Sequence, residues 1–330
     1  MYLQYLMGAP MLAFRRGLII TLILLITISL ALSHDTGMSL NKKPIIVCTT
    51  SVLASVAKDL VGDSAIVEVI ASPAVCPAHY DVKPSDVEAF KEADLILMHG
   101  IEPWVEELRK ASGSNAPVIK IPGPWNTPDA LKSVYERVAK AIEENLGLDV
   151  KLRLERCIKA IDDTANYLKA YAEVHNFTGV PVVCMAWQID FIKFLGFRIV
   201  ASYGPPERVT AKEYEEIIKN ATEAHAILVI DNVQSGTELG KKIALEIGGV
   251  EVALTNFPNM TPELNNMTMV MKWNAERLAE ALTMAELKGR ISTLKERLET
   301  YKTATYVLIA ITTVLIIVTT GIVFKLRRTQ

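Results

Sequence analysis

Sulfur and imidazole side chains that can bind a soft metal ion occur at three places in this sequence. Cys76 and His79 lie three residues apart in a proline-rich segment, His99 follows a short apolar run, and Cys184 and Met185 end another. Thiolate and thioether ligands favour Cu(I) and, less strongly, Zn(II). Whether these residues form one site depends on the fold that positions them.

The same residues also have structural interpretations. The cysteines are Cys48, Cys76, Cys157 and Cys184. Two disulfides could form in three connectivities, and a Cys76–Cys184 bond would remove both thiols as ligands. Met185 could pack in a core, the usual role of methionine, and His99 could satisfy a buried turn. A lone Cys-x-x-His half-motif is a weak metal signal, and we expect Cys48 and Cys157 to be buried thiols or disulfide partners.

Two hydrophobic segments close to the termini indicate export. Arg15 and Arg16 precede the uncharged run 17–33, which ends in small residues, so we predict a secretory signal peptide at 1–33, with an uncleaved anchor as the alternative. The run 303–324 also carries no charge and is long enough to cross a bilayer. The basic tail 325–330 that follows it predicts a cytoplasmic C-terminus and an extracellular middle region on the cell membrane.

A short heptad pattern precedes the predicted transmembrane helix. Its apolar residues are Leu287, Ile291, Leu294, Leu298 and Tyr301. This spacing predicts a stalk helix at 285–302, with dimerisation through the same stripe as the alternative.

The composition excludes several functions. Acidic and basic residues are interspersed, with a formal net charge of -2, so there is no basic nucleic-acid footprint. The sequence shows no ATP-binding Gly-rich motif, no nucleophile elbow and no His-Glu-x-x-His motif, so we expect no enzyme. N-glycosylation is predicted at four acceptor triplets, which begin at Asn176, Asn220, Asn259 and Asn266.

Short apolar runs alternate with helical periods on both sides of a long helical middle. This alternation predicts parallel sheets with crossover helices. The predicted parts are a linker at 34–43, an N-terminal α/β lobe at 44–148, a spine helix at 149–176 and a C-terminal α/β lobe at 177–284. The last helix of that lobe is predicted to run from Pro262 to about Met284.

The segment 72–108 carries the most informative motif. It contains a proline-rich loop with His79, a Pro-Ser-Asp helix start and a Gly-x-Glu-Pro-Trp turn after a strand. Together with 122–128 (PGPWNTP) and 182–187 (VVCMAW), it resembles the metal-binding solute-binding proteins of zinc and manganese ABC importers. The resemblance covers about residues 43–282 and implies two α/β lobes joined by one helix, with a binding cleft between them.

The resemblance also implies where the metal ligands of such proteins would fall. The first histidine corresponds to His79, the second ligand to Gly123, the third to Met185, and the last carboxylate lies near Thr255 or Asn256. Three of the four positions therefore lack the usual ligand. A substitute site is predicted from Cys76, His79, His99, Cys184 and Met185, with Zn or Cu(I) as the cargo.

Further cleft residues follow from the same implied geometry, because ligands of open α/β sheets bind at the carboxyl ends of strands. These residues are Thr50, Ser51, Trp125, Trp187 and Asp231. The leading hypothesis is a tethered capture protein that hands a metal ion or small solute to separate ABC permease and ATPase chains. The alternative is a related fold used as a surface metal chaperone, sensor or adhesion module, or one that binds a non-metal solute.

Overall fold

Residues 42–328 are described by the computed structural model, so the predicted signal peptide lies outside the described residues. The N-terminal lobe is built on four parallel strands with the order β2-β1-β3-β4. These strands are β1 (Ile45–Cys48), β2 (Ile66–Val69), β3 (Leu95–Met98) and β4 (Val118–Lys120). The central strands β1 and β3 are continuous apolar runs because helices cover both faces of the sheet.

Four helices surround this sheet. They are α1 (Ser51–Val61), α2 (Pro84–Glu92), α3 (Val105–Ser112) and α4 (Pro128–Leu146). Side chains of α2 and α3, including Phe90 and Leu108, pack on one face, whereas α1 and α4 pack on the other. The Thr50 hydroxyl caps α1, and Thr127 caps α4 ahead of Pro128, so both helices begin where the sequence supplies a cap.

The C-terminal lobe repeats this topology. Its four parallel strands have the order β6-β5-β7-β8. They are β5 (Pro181–Met185), β6 (Arg198–Tyr203), β7 (Leu228–Asn232) and β8 (Val250–Leu254). The short helix α6 (Ile189–Phe194) packs on the face shared with the rest of the molecule, and α7 (Ala211–Glu223) and α8 (Glu238–Glu246) cover the other.

The long helix α5 (Lys151–Val174) links the two lobes. Its buried residues Ile161 and Leu168 belong to one continuous core that includes apolar side chains of both sheets. The predicted architecture of two parallel-sheet lobes joined by a spine helix is therefore confirmed.

One uninterrupted helix, α9 (Met267–Arg328), closes the described chain. The sequence analysis predicted a helix from Pro262 and treated the stalk and the apolar run as separate segments. The helix instead begins after Asn266, whose side-chain oxygen accepts a hydrogen bond from the Met269 amide at 3.1 Å. Residues 267–282 pack against the core, whereas the side chains of residues 286–325 are exposed. The exposed part contains a stretch long and apolar enough to cross a membrane.

Candidate functional site between the two lobes

Segments that follow the carboxyl ends of strands of both sheets meet between the lobes, at an interface that we call the cleft, and three direct hydrogen bonds between described residues cross it. In each bond a neutral side chain of one lobe donates to a backbone carbonyl of the other. The pairs are Trp125 Nε1 to Asn256 O (2.9 Å), Asn126 Nδ2 to Trp187 O (2.9 Å) and Gln234 Nε2 to Pro73 O (3.0 Å). The cleft is therefore bridged by uncharged amide and indole groups.

The indole of Trp125 occupies the cleft between the lobes. Its ring stacks on His99 at a centroid distance of 4.1 Å and lies 5.8 Å from Phe257 of the other lobe. A side chain at Gly123 would collide with the indole ring, so the absence of a side chain there is what admits the tryptophan. The predicted cleft residue Trp125 thus lies at the interface and contacts both lobes.

His99 is buried, and both of its ring nitrogens are hydrogen-bonded. Nδ1 lies 2.9 Å from the Ile121 carbonyl, which only a protonated nitrogen can satisfy, so Nε2 accepts from the Thr50 hydroxyl at 3.0 Å. Burial lowers the pKa of His99, which favours this neutral form. A metal ion could bind His99 only by displacing one of these two partners.

A buried carboxylate, Glu102, organises the N-terminal edge of the cleft. It accepts hydrogen bonds from the Thr49 hydroxyl at 2.6 Å and from three successive backbone amides, those of His99, Gly100 and Ile101, at 2.7–3.0 Å. Gly100 adopts a φ of 91°, which points these amides at one carboxylate and which other residues rarely adopt. In the sequence, Glu102 stood out only as part of a motif; its place two residues after the Gly that follows a strand was the available signal.

Cys76 and His79 lie on the loop between β2 and α2. Trp104 donates to the Pro77 carbonyl at 2.8 Å, and Tyr80 donates to Asp86 at 3.0 Å, so the loop is held against the lobe. Burial, with the Asp86 hydrogen bond, raises the pKa of Tyr80 to about 12. The His79 side chain is exposed and that of Cys76 is half-buried, which leaves both predicted ligands accessible from the solvent.

Cys184 and Met185 face opposite sides of the C-terminal sheet, because successive strand residues alternate. Cys184 packs in the core shared by both lobes, and its thiol donates to the Met185 carbonyl at 3.3 Å. Met185 packs against Tyr203 and Ile217 on the other face. Burial raises the pKa of the Cys184 thiol, which disfavours the thiolate that a metal needs. In this arrangement the two residues do not meet at one ion, contrary to the substitute site predicted from the sequence.

The other predicted cleft residues have distinct environments. Thr50 caps α1 and bonds His99, and Ser51 is buried, its hydroxyl without a hydrogen-bond partner in the described chain. Trp187 is 52% exposed. Asp231 is fully buried and accepts a short hydrogen bond from Tyr203, and its carboxyl group lies beneath Gly240 of α8.

Asp231 forms an acidic pair with Glu251 of the neighbouring strand. Burial raises the pKa of Asp231 to about 7, since the effect of Glu251 adds to it while the Tyr203 hydrogen bond opposes it. The pKa of Glu251 is also raised, chiefly by burial. Asp231 therefore stays protonated over a range in which an exposed aspartate is ionised, and its predicted role as a cleft-lining group is replaced by one inside the C-terminal lobe.

Two amide side chains lie at the C-terminal edge of the cleft. In the sequence, Asn256 stood out only as a neighbour of an expected ligand position, and there was no sign of Gln188. Gln188 follows β5 and is fully buried, yet neither its Oε1 nor its Nε2 has a hydrogen-bond partner among residues 42–328. Asn256 follows β8 and donates to the Trp187 carbonyl at 2.9 Å, whereas its Oδ1 lacks a partner in the same range. Amides give no spacing signal in a sequence, so only the structure could single them out.

Within the described part of the chain, no three His, Cys, Asp or Glu side chains are grouped closely enough to hold a metal ion. All four cysteines are thiols, so the disulfide alternatives are not formed. Cys48 is a buried thiol, as expected, whereas Cys157 is half-buried. Burial raises the pKa of Cys157 to about 11 and that of Cys48 further.

Comparison with known proteins places this fold. Residues 46–124 match the family model described as ZnuA, zinc-uptake complex component A, periplasmic. Over these residues the chain is similar to that family, and its two lobes have a ZnuA/TroA-type fold. This finding confirms the resemblance seen in the sequence. A relative from Thermotoga maritima, described as a putative metal-binding protein, is 24% identical over 204 residues, which are 57% of this chain and 75% of that protein.

Solved structures share the fold at low identity. A crystal structure of ZnuA superposes with a TM-score of 0.61 at 19% identity, covering 72% of this chain and 98% of that one. The periplasmic zinc-binding protein TroA from Treponema pallidum gives a TM-score of 0.61 at 15% identity, covering 73% and 99%. A periplasmic metal-binding protein from Candidatus Liberibacter asiaticus gives 0.62 at 14% identity, covering 73% and 100%.

Proposed function

We propose that this chain is a membrane-anchored solute-binding protein that captures its cargo outside the cell and delivers it to separate ABC permease and ATPase chains. The observation that carries this proposal is the pair of sheets with the same strand order, together with the hydrogen bonds that join segments following their strands across the interface between the lobes. A cleft of this kind encloses a solute when the lobes close around it. The match to the zinc-uptake family supports the same role.

Anchoring is proposed from α9. Its apolar part is exposed along its whole length, which is unfavourable in water and favourable in a bilayer. Lys325, Arg327 and Arg328 follow that part and favour a cytoplasmic end, so the two lobes would lie on the exported side. A tether keeps the capture domain at high local concentration near a permease in the same membrane.

The cargo that we propose is a transition-metal ion, Zn(II) or Cu(I). Cys76 and His79 are the ligands that the structure leaves accessible. His99 would join them only after the cleft opens and one of its bonds, to Thr50 or to Ile121, is broken.

A second candidate function is supported by the neutral groups of the cleft. Amide and indole hydrogen bonds cross it, Trp125 fills part of it, and two positions of the family's ligand pattern are occupied by Gly123 and Met185. A site of this chemistry suits an uncharged polar solute. The same features are also compatible with a domain that no longer carries cargo.

Metal titration of the full chain in detergent distinguishes these functions. We expect about one equivalent of Zn(II) or Cu(I), added anaerobically, to bind the wild-type chain, and the double variant Cys76→Ser/His79→Ala to lose at least about tenfold in affinity. His225→Asn is the matched control, because it removes an imidazole outside the cleft at a positive φ that asparagine tolerates. Equal affinities of the double variant and the control would contradict the metal assignment, and no binding by the wild-type chain would favour the second function.

A further inference from the structure

The exposed apolar stripe of the stalk continues without a break into the apolar part of α9. The stalk residues Leu287, Ile291, Leu294, Leu298 and Tyr301 are followed, with the same alternating spacing of four and three, by Thr305, Leu308, Thr312, Leu315, Thr319 and Ile322. The apolar members of this stripe are all more than half exposed. Its length is about 52 Å at 1.5 Å per residue.

A repeat of seven residues over this length indicates a helical partner. A straight helix has 3.6 residues per turn, so a stripe that repeats every seven residues winds slowly around its surface. A partner helix can contact the whole stripe only if the two helices supercoil around each other. Contact with lipid or water would not require such a repeat.

Threonines alternate with leucine or isoleucine where the stripe enters the apolar segment. The hydroxyl groups of Thr305, Thr312 and Thr319 each donate to the carbonyl four residues earlier, at 2.8, 2.6 and 2.8 Å. Their hydrogens are thus satisfied within α9, and their small side chains permit close approach of another helix.

Charge is segregated around the stalk part of the stripe. The five basic residues of 286–302, which are Lys288, Arg290, Lys295, Arg297 and Lys302, all lie at the two heptad positions that flank the stripe. The three acidic residues, Glu286, Glu296 and Glu299, lie at the positions away from it. Flanking positions contact the partner in a coiled coil, so this side of α9 offers one sign of charge.

Three of the flanking cations are available for a partner. Lys288 donates to the Gly249 carbonyl at 2.8 Å, and Lys302 pairs with Glu299 at 2.7 Å. Arg290, Lys295 and Arg297 form no ion pair with any residue of the described range 42–328.

The same charges disfavour a second copy of this chain as the partner. Two anchored copies would enter the membrane in the same direction, so their helices would pair in parallel. Arg290 would then face Lys295 of the second copy, and Arg297 would face Lys302 of the second copy. Like charges at these positions oppose pairing, which speaks against the dimerisation alternative considered from the sequence.

We infer that residues 287–322 of α9 form a docking surface for a single membrane helix of a different protein, one that continues above the bilayer and carries Asp or Glu beside its apolar seam. This partner would pair with the stalk through opposite charges and with the apolar segment through close packing at the threonines. The inference rests on the proposed membrane anchoring and is independent of the cargo.

The test uses the full chain, labelled with a fluorophore at its C-terminus, in phosphatidylcholine vesicles. The probe is a synthetic single-span peptide with Leu at the seam and Glu at the flanking positions of its exported half; a second peptide has Lys in place of Glu. Energy transfer between chain and peptide measures pairing. We expect the Glu peptide to bind at least about tenfold more tightly than the Lys peptide, because several opposite-charge pairs replace like-charge pairs.

Two variants with the same change in net charge distinguish the effect of charge at the flanking positions from the effect of net charge alone. Lys295→Gln/Arg297→Gln removes two flanking cations, and Ser292→Glu/Thr300→Glu adds two acids at positions away from the seam. All four side chains are exposed, so neither variant threatens the folded lobes. We expect the first variant to lose most of the preference for the Glu peptide and the second to keep it.

Three results would overturn the inference: equal binding of both peptides, equal effects of the two variants, or efficient energy transfer between copies of the chain with no peptide present. An anionic-lipid surface as the true partner would appear as wild-type binding that needs phosphatidylserine and ignores the peptides, which also overturns it. Flotation of the chain with vesicles after an alkaline wash tests anchoring separately. Loss of flotation would contradict the proposed anchoring, whereas retained flotation without peptide pairing would contradict only the docking surface.

Discussion

The two lobes share one sheet order but differ at the edges that face the cleft. In the N-terminal lobe, the segments after β1 and β3 are tied together by Glu102, which accepts four hydrogen bonds, and by His99, which uses both ring nitrogens. In the C-terminal lobe, Gln188 and Asn256 bury amide atoms that have no partner in the described chain. Buried polar groups stabilise a protein when satisfied and destabilise it when they are not, so the two edges make opposite contributions to stability.

The difference extends into the lobes. At the N-terminal edge, Glu102 and His99 are satisfied by backbone groups and hydroxyls, whereas the C-terminal lobe holds the buried Asp231 beside the half-buried Glu251, which helps to raise the pKa of Asp231. The hydrogen bonds of Glu102 thus stabilise the N-terminal edge of the cleft. In the C-terminal lobe, protonation of Asp231 makes the free energy of unfolding depend on pH, and the amide atoms of Gln188 and Asn256 that lack partners among the described residues lower it.

Removing the Glu102 carboxylate should have the largest effect. Glu102→Ala leaves three backbone amides and one hydroxyl without their acceptor, and we expect the free energy of unfolding to fall by about 3–4 kcal/mol. Urea denaturation of the full chain in detergent, followed by circular dichroism, measures it. Glu106→Ala, at an exposed carboxylate in the first turn of α3, is the control; a similar loss in both variants would refute the organising role of Glu102.

Asp231→Asn should change the pH dependence of stability. The folded protein holds a proton on Asp231 up to about pH 7, whereas the unfolded chain loses it near the ordinary value of 3.8, so stability falls as pH rises between these values. Asparagine stays neutral, and we expect a gain on the order of 2 kcal/mol at pH 8 and none at pH 4. Thermal unfolding at both pH values provides the measurement.

The control for this variant is Asp190→Asn, which neutralises an exposed carboxylate in the first turn of α6. A gain of the same size at pH 4 and pH 8, or in the control, would mean that protonation of Asp231 is not the cause.

Gln188→Met should have the smallest effect on the free energy of unfolding, and it should raise that free energy where Glu102→Ala lowers it. It replaces a buried amide that lacks partners within the described residues by an apolar side chain of similar size, and we expect the free energy of unfolding to rise by about 1 kcal/mol. Gln234→Met is the comparison, since the Gln234 amide donates across the cleft to Pro73 and also to Thr255, and its loss should destabilise the chain. Destabilisation by both substitutions would show that Gln188 has a partner in solution.

Much of the fold could be predicted from local sequence. Apolar runs such as 95–98 and 226–230, each followed by a helical period, predicted strands of parallel sheets because covered strands are apolar on both faces. Element boundaries were less accurate. The last helix was expected from Pro262 but begins after Asn266, because the side chain that caps it, rather than the first proline, fixes its start.

The candidate site was predicted only in part. The turn with His99 and the cleft position of Trp125 follow from strand ends, which the sequence marks clearly. The grouping of Cys184 with Met185 failed because adjacent strand residues point to opposite faces, and the raised pKa of Asp231 depends on burial inside the lobe and on a neighbouring strand.

Sequence alone determined the kind of structure that each segment forms. Apolar runs predicted the strands, an uncharged stretch predicted the exposed end of α9, and a seven-residue repeat predicted its apolar stripe. These follow from periodicity and hydrophobicity, which act over a few turns of chain. Tertiary structure decided which polar groups meet. The bond from Thr49 to Glu102, the stacking of Trp125 on His99 and the burial of the Gln188 amide all depend on contacts between segments far apart in sequence, and no local pattern specifies such contacts.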